Sequence, residues 1–213
     1  MNVVPGINCP DIECVRARIE AAKAFLKEGA LLHLDVTDGS FTSHRTWADP
    51  IEWVKLKAPF ALEVHLMVER PEEYADNWLT AGARRLIVHA EALTPQSVHA
   101  IVSTARHHNA ALMLSSKPST SAEDLVPYLR HFREFQVLAV EPGPSGQVYE
   151  AFNDEKIRFL KEEFPNATIE VDGGINPLTA WRVKEIGADT VVSTSYIFGA
   201  ADPKKAYEEL LQI

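Results

Sequence analysis

The sequence predicts a (β/α)8 barrel of the TIM type, one domain over residues 1–213. Three observations carry that expectation: eight short apolar runs recur along the chain, segments with helical spacing separate them, and several helix-to-strand joints repeat a Gly-Ala pair. Eight strands alternating with helices in about 210 residues suit a closed barrel, whereas a doubly wound open sheet commonly uses five or six.

The strand candidates run, in order, "VVPGIN", "LLHLDV", "ALEVHLMV", "RLIVHAE", "AALMLSS", "FQVLAVEPG", "TIEVDGG" and "TVVSTS". The first helix follows Asp11 as N-cap, with Ile12, Val15, Ile19 and Ala22 spaced for one buried face. "NPLTAWRVKEIGA" repeats the logic, with Asn176 as cap, Pro177 at the first helical position and Gly187 just past the end. "DPKKAYEELLQI" closes the chain as another helix, and "GALLHL", "GARRLIV" and "GADTVV" are the repeated joints. Trp53, Trp78 and Trp181 are expected to pack helices onto the barrel, and His107 and His108 to form a solvated helix end.

With 46% apolar residues the chain can fill one substantial core. A formal charge of −9 and a pI near 5.4 disfavour nucleic acid and anionic membrane as partners, since both are polyanions. Cys9 and Cys14 are too few for a disulfide framework and lack metal-type spacing, which points to a reducing compartment. "MNVVPGINCPD" lacks a basic, apolar leader, and no apolar run approaches the roughly 18 residues of a membrane span. A cytoplasmic protein that forms a homo-oligomer is expected.

The chemistry concentrates at strand ends. In "LLHLDVTDG" His33 and Asp35 share one face of the second strand, while Leu32, Leu34 and Val36 share the other. His65 and Met67 lie near the end of the third strand and Asp172 at the end of the seventh. In this barrel the site collects where strands end and βα loops begin. A lone strand histidine is commonly a hydrogen-bonded core residue, and a strand-end aspartate a loop cap. Two imidazoles and two carboxylates aimed at one mouth, however, cost several kcal/mol unless paired or bound to a cation. One divalent ion of the Zn²⁺, Fe²⁺, Mn²⁺ or Co²⁺ type suits that donor set.

The segments "HLDVTDGSF", "EVHLMV", "VHAEA", "VEPGPSGQ", "VDGGIN" and "STSYIFGA" occur in the order seen in ribulose-phosphate 3-epimerases, and the chain resembles that family over nearly its whole length. The resemblance implies a (β/α)8 barrel that interconverts D-ribulose 5-phosphate and D-xylulose 5-phosphate, a reaction of the pentose phosphate pathway. It places the metal set on His33, Asp35, His65 and Asp172, with Asp35 and Asp172 as the catalytic acid/base pair. Inversion at C3 needs one such group on each face of the carbon, and a metal on the C2 and C3 oxygens would stabilise the enediolate. The phosphorylated ketose is expected to meet His65, Met67, Gly143, Gly146, Gly173, Gly174, Thr194 and Ser195. Backbone N–H groups after strands seven and eight commonly supply such a phosphate grip.

The chain departs from the family pattern at a few positions. "PGIN" replaces Pro-Ser-Ile-Leu, so Gly6 stands at a substrate-contacting serine and Asn8 follows; Thr37 and Leu138 replace methionines; "GPSGQ" replaces "GFGGQ"; and Thr194 replaces a glycine. These changes predict a roomier, less well fitted pocket, with slow turnover of ribulose 5-phosphate and D-allulose 6-phosphate as a competing six-carbon substrate. A barrel that binds sugar phosphate without turning it over is the alternative from another class. The superfamily's keto-gulonate-phosphate decarboxylases are disfavoured, because His33 and Asp35 stand where those enzymes carry an acidic and lysine pattern.

Overall fold

The computed structural model describes residues Met1–Ile213. Eight parallel strands close into a barrel in chain order: β1 (Asn2–Ile7), β2 (Leu31–Thr37), β3 (Ala61–Met67), β4 (Ala83–His89), β5 (Ala111–Ser116), β6 (Glu134–Leu138), β7 (Thr168–Asp172) and β8 (Thr190–Ser193). The fold expected from the alternating pattern is therefore the fold observed. No helix is long and apolar enough to cross a membrane.

Five of the eight helices begin where short polar side chains take up free backbone N–H groups. Asp11 accepts from the N–H of Cys14 at the start of α1 (Ile12–Ala22), and Asp49 from those of Ile51 and Glu52 at α2 (Pro50–Leu56). Next come α3 (Glu72–Thr80) and α4 (Pro95–His107), the latter opened by a Thr94/Ser97 capping box. After α5 (Asn153–Glu163), Asn176 and Thr179 cap α6 (Pro177–Glu185) reciprocally, and Gly187 follows it at φ +109°. A single turn, α7 (Ser195–Phe198), precedes α8 (Pro203–Leu211), which is capped by Asp202.

Strand parity sorts the core into two layers. Leu32, Leu34 and Val36 of β2 and Leu62, Val64 and Leu66 of β3 are buried outward against the helices. His33, Asp35, Glu63 and His65 turn inward, with Asp35 in register opposite His65 and Leu138 opposite Asp172.

Three local expectations are corrected. Between β5 and β6 the chain forms only a 3₁₀ turn, Glu123–Leu125, in place of a full helix. Trp53 and Trp78 are buried as expected, but Trp181 is 57% exposed, because α6 buries Ala180 and Val183 instead. Cys9 and Cys14 form a disulfide between the end of β1 and the first turn of α1, their Cα atoms 5.6 Å apart. Asp11 starts the helix so soon after the strand that the two thiols meet, and the argument for a reducing compartment falls with that pairing.

Candidate functional site at the mouth of the barrel

His33 and Asp35 from β2, His65 from β3 and Asp172 from β7 converge at the C-terminal end of the barrel, all four buried. His33 Nε2 lies 3.2 Å from Asp35 Oδ1 and 3.7 Å from Asp172 Oδ2. His65 Nδ1 lies 3.1 Å and 3.6 Å from the same two oxygens. A tetrahedral ion with bonds of about 2.0–2.1 Å sets its donors roughly 3.3 Å apart, so the spacing and the mixed N/O donor set fit a divalent cation.

Charge is distributed unevenly over the cluster. Burial opposes ionisation of Asp35, but hydrogen bonds from His33 and His65 outweigh it and hold that carboxyl well below the usual range. Asp172 is pushed up to about 7 by burial and then by the neighbouring Asp35 and Glu63 carboxylates. Burial disfavours the charged form of His33, yet Asp35 and Glu63 raise it well above the ordinary imidazole value. His65, for which burial dominates, is lowered. The two carboxyls thus share one site with opposite proton preferences.

Each histidine is oriented from behind. His33 Nδ1–H donates to Glu63 at 2.9 Å, and Glu63 is held in turn by Arg85 at 2.7 Å. The Nε2 atoms of His65 and His89 lie 2.8 Å apart and share a proton, and the two rings stack. His89, lowered to about 4 by burial and by His65, reaches Glu91 at 3.3 Å. Such outer partners fix which ring nitrogen faces a metal. Sequence reasoning missed Glu63, Glu170 and His89. Glu63 and Glu170 sit two residues before His65 and Asp172 and share their inward parity, which was the available signal. Deeper in the barrel Glu170 is pushed up to about 8 by burial and Glu63, and it accepts from Gln136 at 3.1 Å.

Beside the cluster opens a narrow cleft whose walls include Asp35, Asp172, Met67 and Leu138. Gly143, Gly146, Gly173, Gly174, Thr194 and Ser195 also line it, so the structure brings the sequence-nominated phosphate residues together. Gly173 and Gly174 have φ +103° and +66°, which L side chains rarely adopt, and a Cβ on Gly174 would lie 2.7 Å from Tyr149 Cα. The close approach locks the loop after β6 onto the loop after β7. Gly174→Ala is therefore expected to cost about 1–3 kcal/mol, a fall of roughly 2–4 °C in Tm per kcal/mol for a chain of this size. A calorimetric scan showing no change would mean that the two loops are not locked.

The expectation of extra room at Gly6 is overturned. A Cβ added there would fall on Thr194 Oγ1 and lie 3.1 Å from Val192 Cγ1. The space vacated on β1 is occupied from β8, and the two departures are one exchange.

Comparison with known proteins agrees with this architecture. The model of the "Ribulose-phosphate 3 epimerase family" matches residues 3–198. Ribulose-phosphate 3-epimerase of Chlamydia muridarum is 32% identical over 204 residues, covering 92% of this chain and 87% of the relative. That of Aquifex aeolicus is 32% identical over 206 residues, covering 94% and 90%. Among solved structures, 3-hexulose-6-phosphate synthase from Salmonella typhimurium superposes with a TM-score of 0.75 at 15% identity, covering 100% of this chain and 97% of the other. KGPDC from Streptococcus mutans superposes at 0.73 with 14% identity, covering 99% and 95%; these two likenesses establish the fold alone. With the family model spanning nearly the whole barrel and relatives above 30% identity along it, the chain belongs to the ribulose-phosphate 3-epimerase family, a family of carbohydrate-phosphate isomerases.

Proposed function

We propose that the chain interconverts D-ribulose 5-phosphate and D-xylulose 5-phosphate by inverting C3, with one divalent ion of the Zn²⁺, Fe²⁺, Mn²⁺ or Co²⁺ type per chain held by His33, Asp35, His65 and Asp172. The observation that carries the reading is that two buried carboxyls, Asp35 and Asp172, converge with His33 and His65 at one mouth, the ring nitrogens 3.1–3.7 Å from the carboxyl oxygens. Such a pair can accept a proton on one side of a carbon and return one on the other.

In one direction Asp35 takes the C3 proton, the electron pair moves toward the C2 carbonyl to give an enediolate, and Asp172 delivers a proton to the opposite face. In the other direction the roles exchange. The bound ion would act as a Lewis acid toward the negative charge that develops beside the reacting carbon. Glu63 and His89 keep His33 and His65 turned toward the site, and His65 and Met67 bound the sugar's position. Backbone N–H groups at Gly143, Gly146, Gly173 and Gly174, with the hydroxyls of Thr194 and Ser195, take the phosphate. That grip relies on local dipoles, which suits an anionic substrate in a chain of charge −9.

Elemental analysis of protein prepared without added metal should find about one divalent ion per chain, and exhaustive chelation should abolish turnover until metal is restored. Negligible metal with activity surviving chelation would refute the cage. Because Thr194 fills the space at Gly6, the five-carbon sugar is expected to be preferred over D-allulose 6-phosphate by at least about 10-fold in kcat/KM. Equal values would return weight to the six-carbon substrate, and binding without turnover of either would favour a non-catalytic barrel.

A further inference from the structure

Asn8 follows β1 and belongs to neither the metal set nor the phosphate loops, yet all of its amide atoms are engaged at the site. Its Nδ2 donates to Asp35 Oδ2 at 2.9 Å and to the carbonyl of Gly143 at 3.0 Å. Two acceptors therefore face the NH₂ end of the amide, and its Oδ1, 3.1 Å from His44 Nε2, accepts from that ring N–H. The backbone beneath it is also held. Trp47 N–H donates to the carbonyl of Cys9 at 2.8 Å, and Cys9 is bonded to Cys14.

The arrangement divides the two oxygens of Asp35. Oδ1 faces His33 Nε2 and His65 Nδ1, while Oδ2 faces Asn8. A carboxylate anchored on both oxygens cannot swing about its χ2 torsion, so one lone pair keeps its aim. The residues that complete the anchor come from the loop after β2, through His44, and the loop after β6, through Gly143. Asn8 thus ties one arm of the acid/base pair to two of the loops that surround the mouth, whereas Asp172 has no equivalent side-chain donor on its strand-end loop.

We propose that Asn8 is a positioning residue that aims Asp35 at C3 and makes the reactivity of that carboxylate depend on the seating of the loops carrying His44 and Gly143. The proposal rests on the epimerase reading for its kinetic consequences and on hydrogen bonding alone for its structural ones. Loss of the amide affects the proton transfer served by Asp35 and spares the one served by Asp172.

The test compares wild type, Asn8→Leu, His44→Phe and the double variant, all loaded with the metal found in the native protein. Asn8→Leu keeps the side-chain volume close to native, so Tm and metal per chain are expected to stay within error of wild type. Its kcat should fall roughly 10–100-fold with KM changed less than about 3-fold, as for other residues that orient a ligand from behind. His44→Phe should give a smaller loss, and the double variant no more than Asn8→Leu alone, because both act through one amide. In D₂O, recovered starting sugar should gain excess deuterium at C3 in one direction of reaction only. There the enediolate formed by Asp172 returns to its origin while the Asp35 step lags. Independently of turnover, the His44 Nε2–H resonance in ¹⁵N-histidine-labelled protein should be protected from solvent in wild type and lose that protection in Asn8→Leu.

Equal deuterium enrichment in both directions, additive losses in the double variant, or a KM effect with kcat intact would overturn the positioning role. An unprotected His44 proton in wild type would overturn the clamp itself. If wild type fails to epimerise any ketose phosphate while the His44 proton is protected, the epimerase reading fails and the clamp stands.

Discussion

Asp172→Asn lowers kcat by at least about 10²-fold with the barrel intact, the largest single-residue effect expected in this molecule. An amide has the shape of the carboxyl and keeps an oxygen for a metal, but it cannot take up and return a proton. Asp172 is buried and is pushed up to about 7 by that burial and by Asp35 and Glu63. Replacing it removes one of the two carboxyls that inversion at C3 needs on opposite faces of the carbon. Metal content measured on the same preparation separates the two roles of the residue: a variant that retains its ion yet loses turnover isolates proton transfer. A variant with near-native kcat would remove Asp172 from the acid/base pair.

The exchange between β1 and β8 yields the second large effect. Gly6→Ser alone forces a Cβ onto Thr194 Oγ1 beside Val192, an overpacking that typically costs about 1–3 kcal/mol. Displacing Thr194, which lines the cleft with Ser195 and Gly146, also misplaces the phosphate end of the substrate, and an error of about 1 Å can cost roughly 10²-fold in rate. Gly6→Ser combined with Thr194→Gly relieves the overlap. The double variant is expected to regain stability and kcat/KM to within a few-fold of wild type, with a coupling of at least about 1 kcal/mol between the sites. Additive losses, or a harmless Gly6→Ser, would mean that the two positions do not share one space.

Much of the fold was legible because the physics that closes the barrel is written at short range. Apolar runs preceded by the Asp11, Asn176 and Asp202 caps mark three helix starts, and the structure places helices at all three. The segment between β5 and β6 spaces Leu125, Leu129 and Phe132 as a helix would and buries all three, yet only Glu123–Leu125 forms a 3₁₀ turn, with Pro127 unable to donate an N–H just beyond it. The four residues that could hold a metal were legible through parity, since His33 with Asp35 and the strand-end positions of His65 and Asp172 must face one mouth. The layer behind them was less so. Glu63 and His89 matter through contacts between strands, and a single strand's pattern does not tell whether an inward carboxylate or imidazole meets a ligand or another residue. The relation of Gly6 to Thr194 spans 188 positions and depends on β1 lying beside β8, which only closure of the barrel brings about. The pairing of Cys9 with Cys14 depends on how tightly the chain turns into α1, a geometry that composition does not carry.

Asp35 and Asp172 are expected to exchange protons at C3 of a ketose phosphate from opposite faces. The most direct test is incubation of the metal-loaded protein with D-ribulose 5-phosphate in D₂O, followed by NMR of the sugar phosphates formed. D-xylulose 5-phosphate carrying solvent deuterium at C3 and at no other carbon is expected, with the label absent when Asp172→Asn replaces the wild type. Epimerised product without deuterium at C3 would contradict it, since the hydrogen would then have been carried across without exchange, or the carbon skeleton cleaved and rejoined.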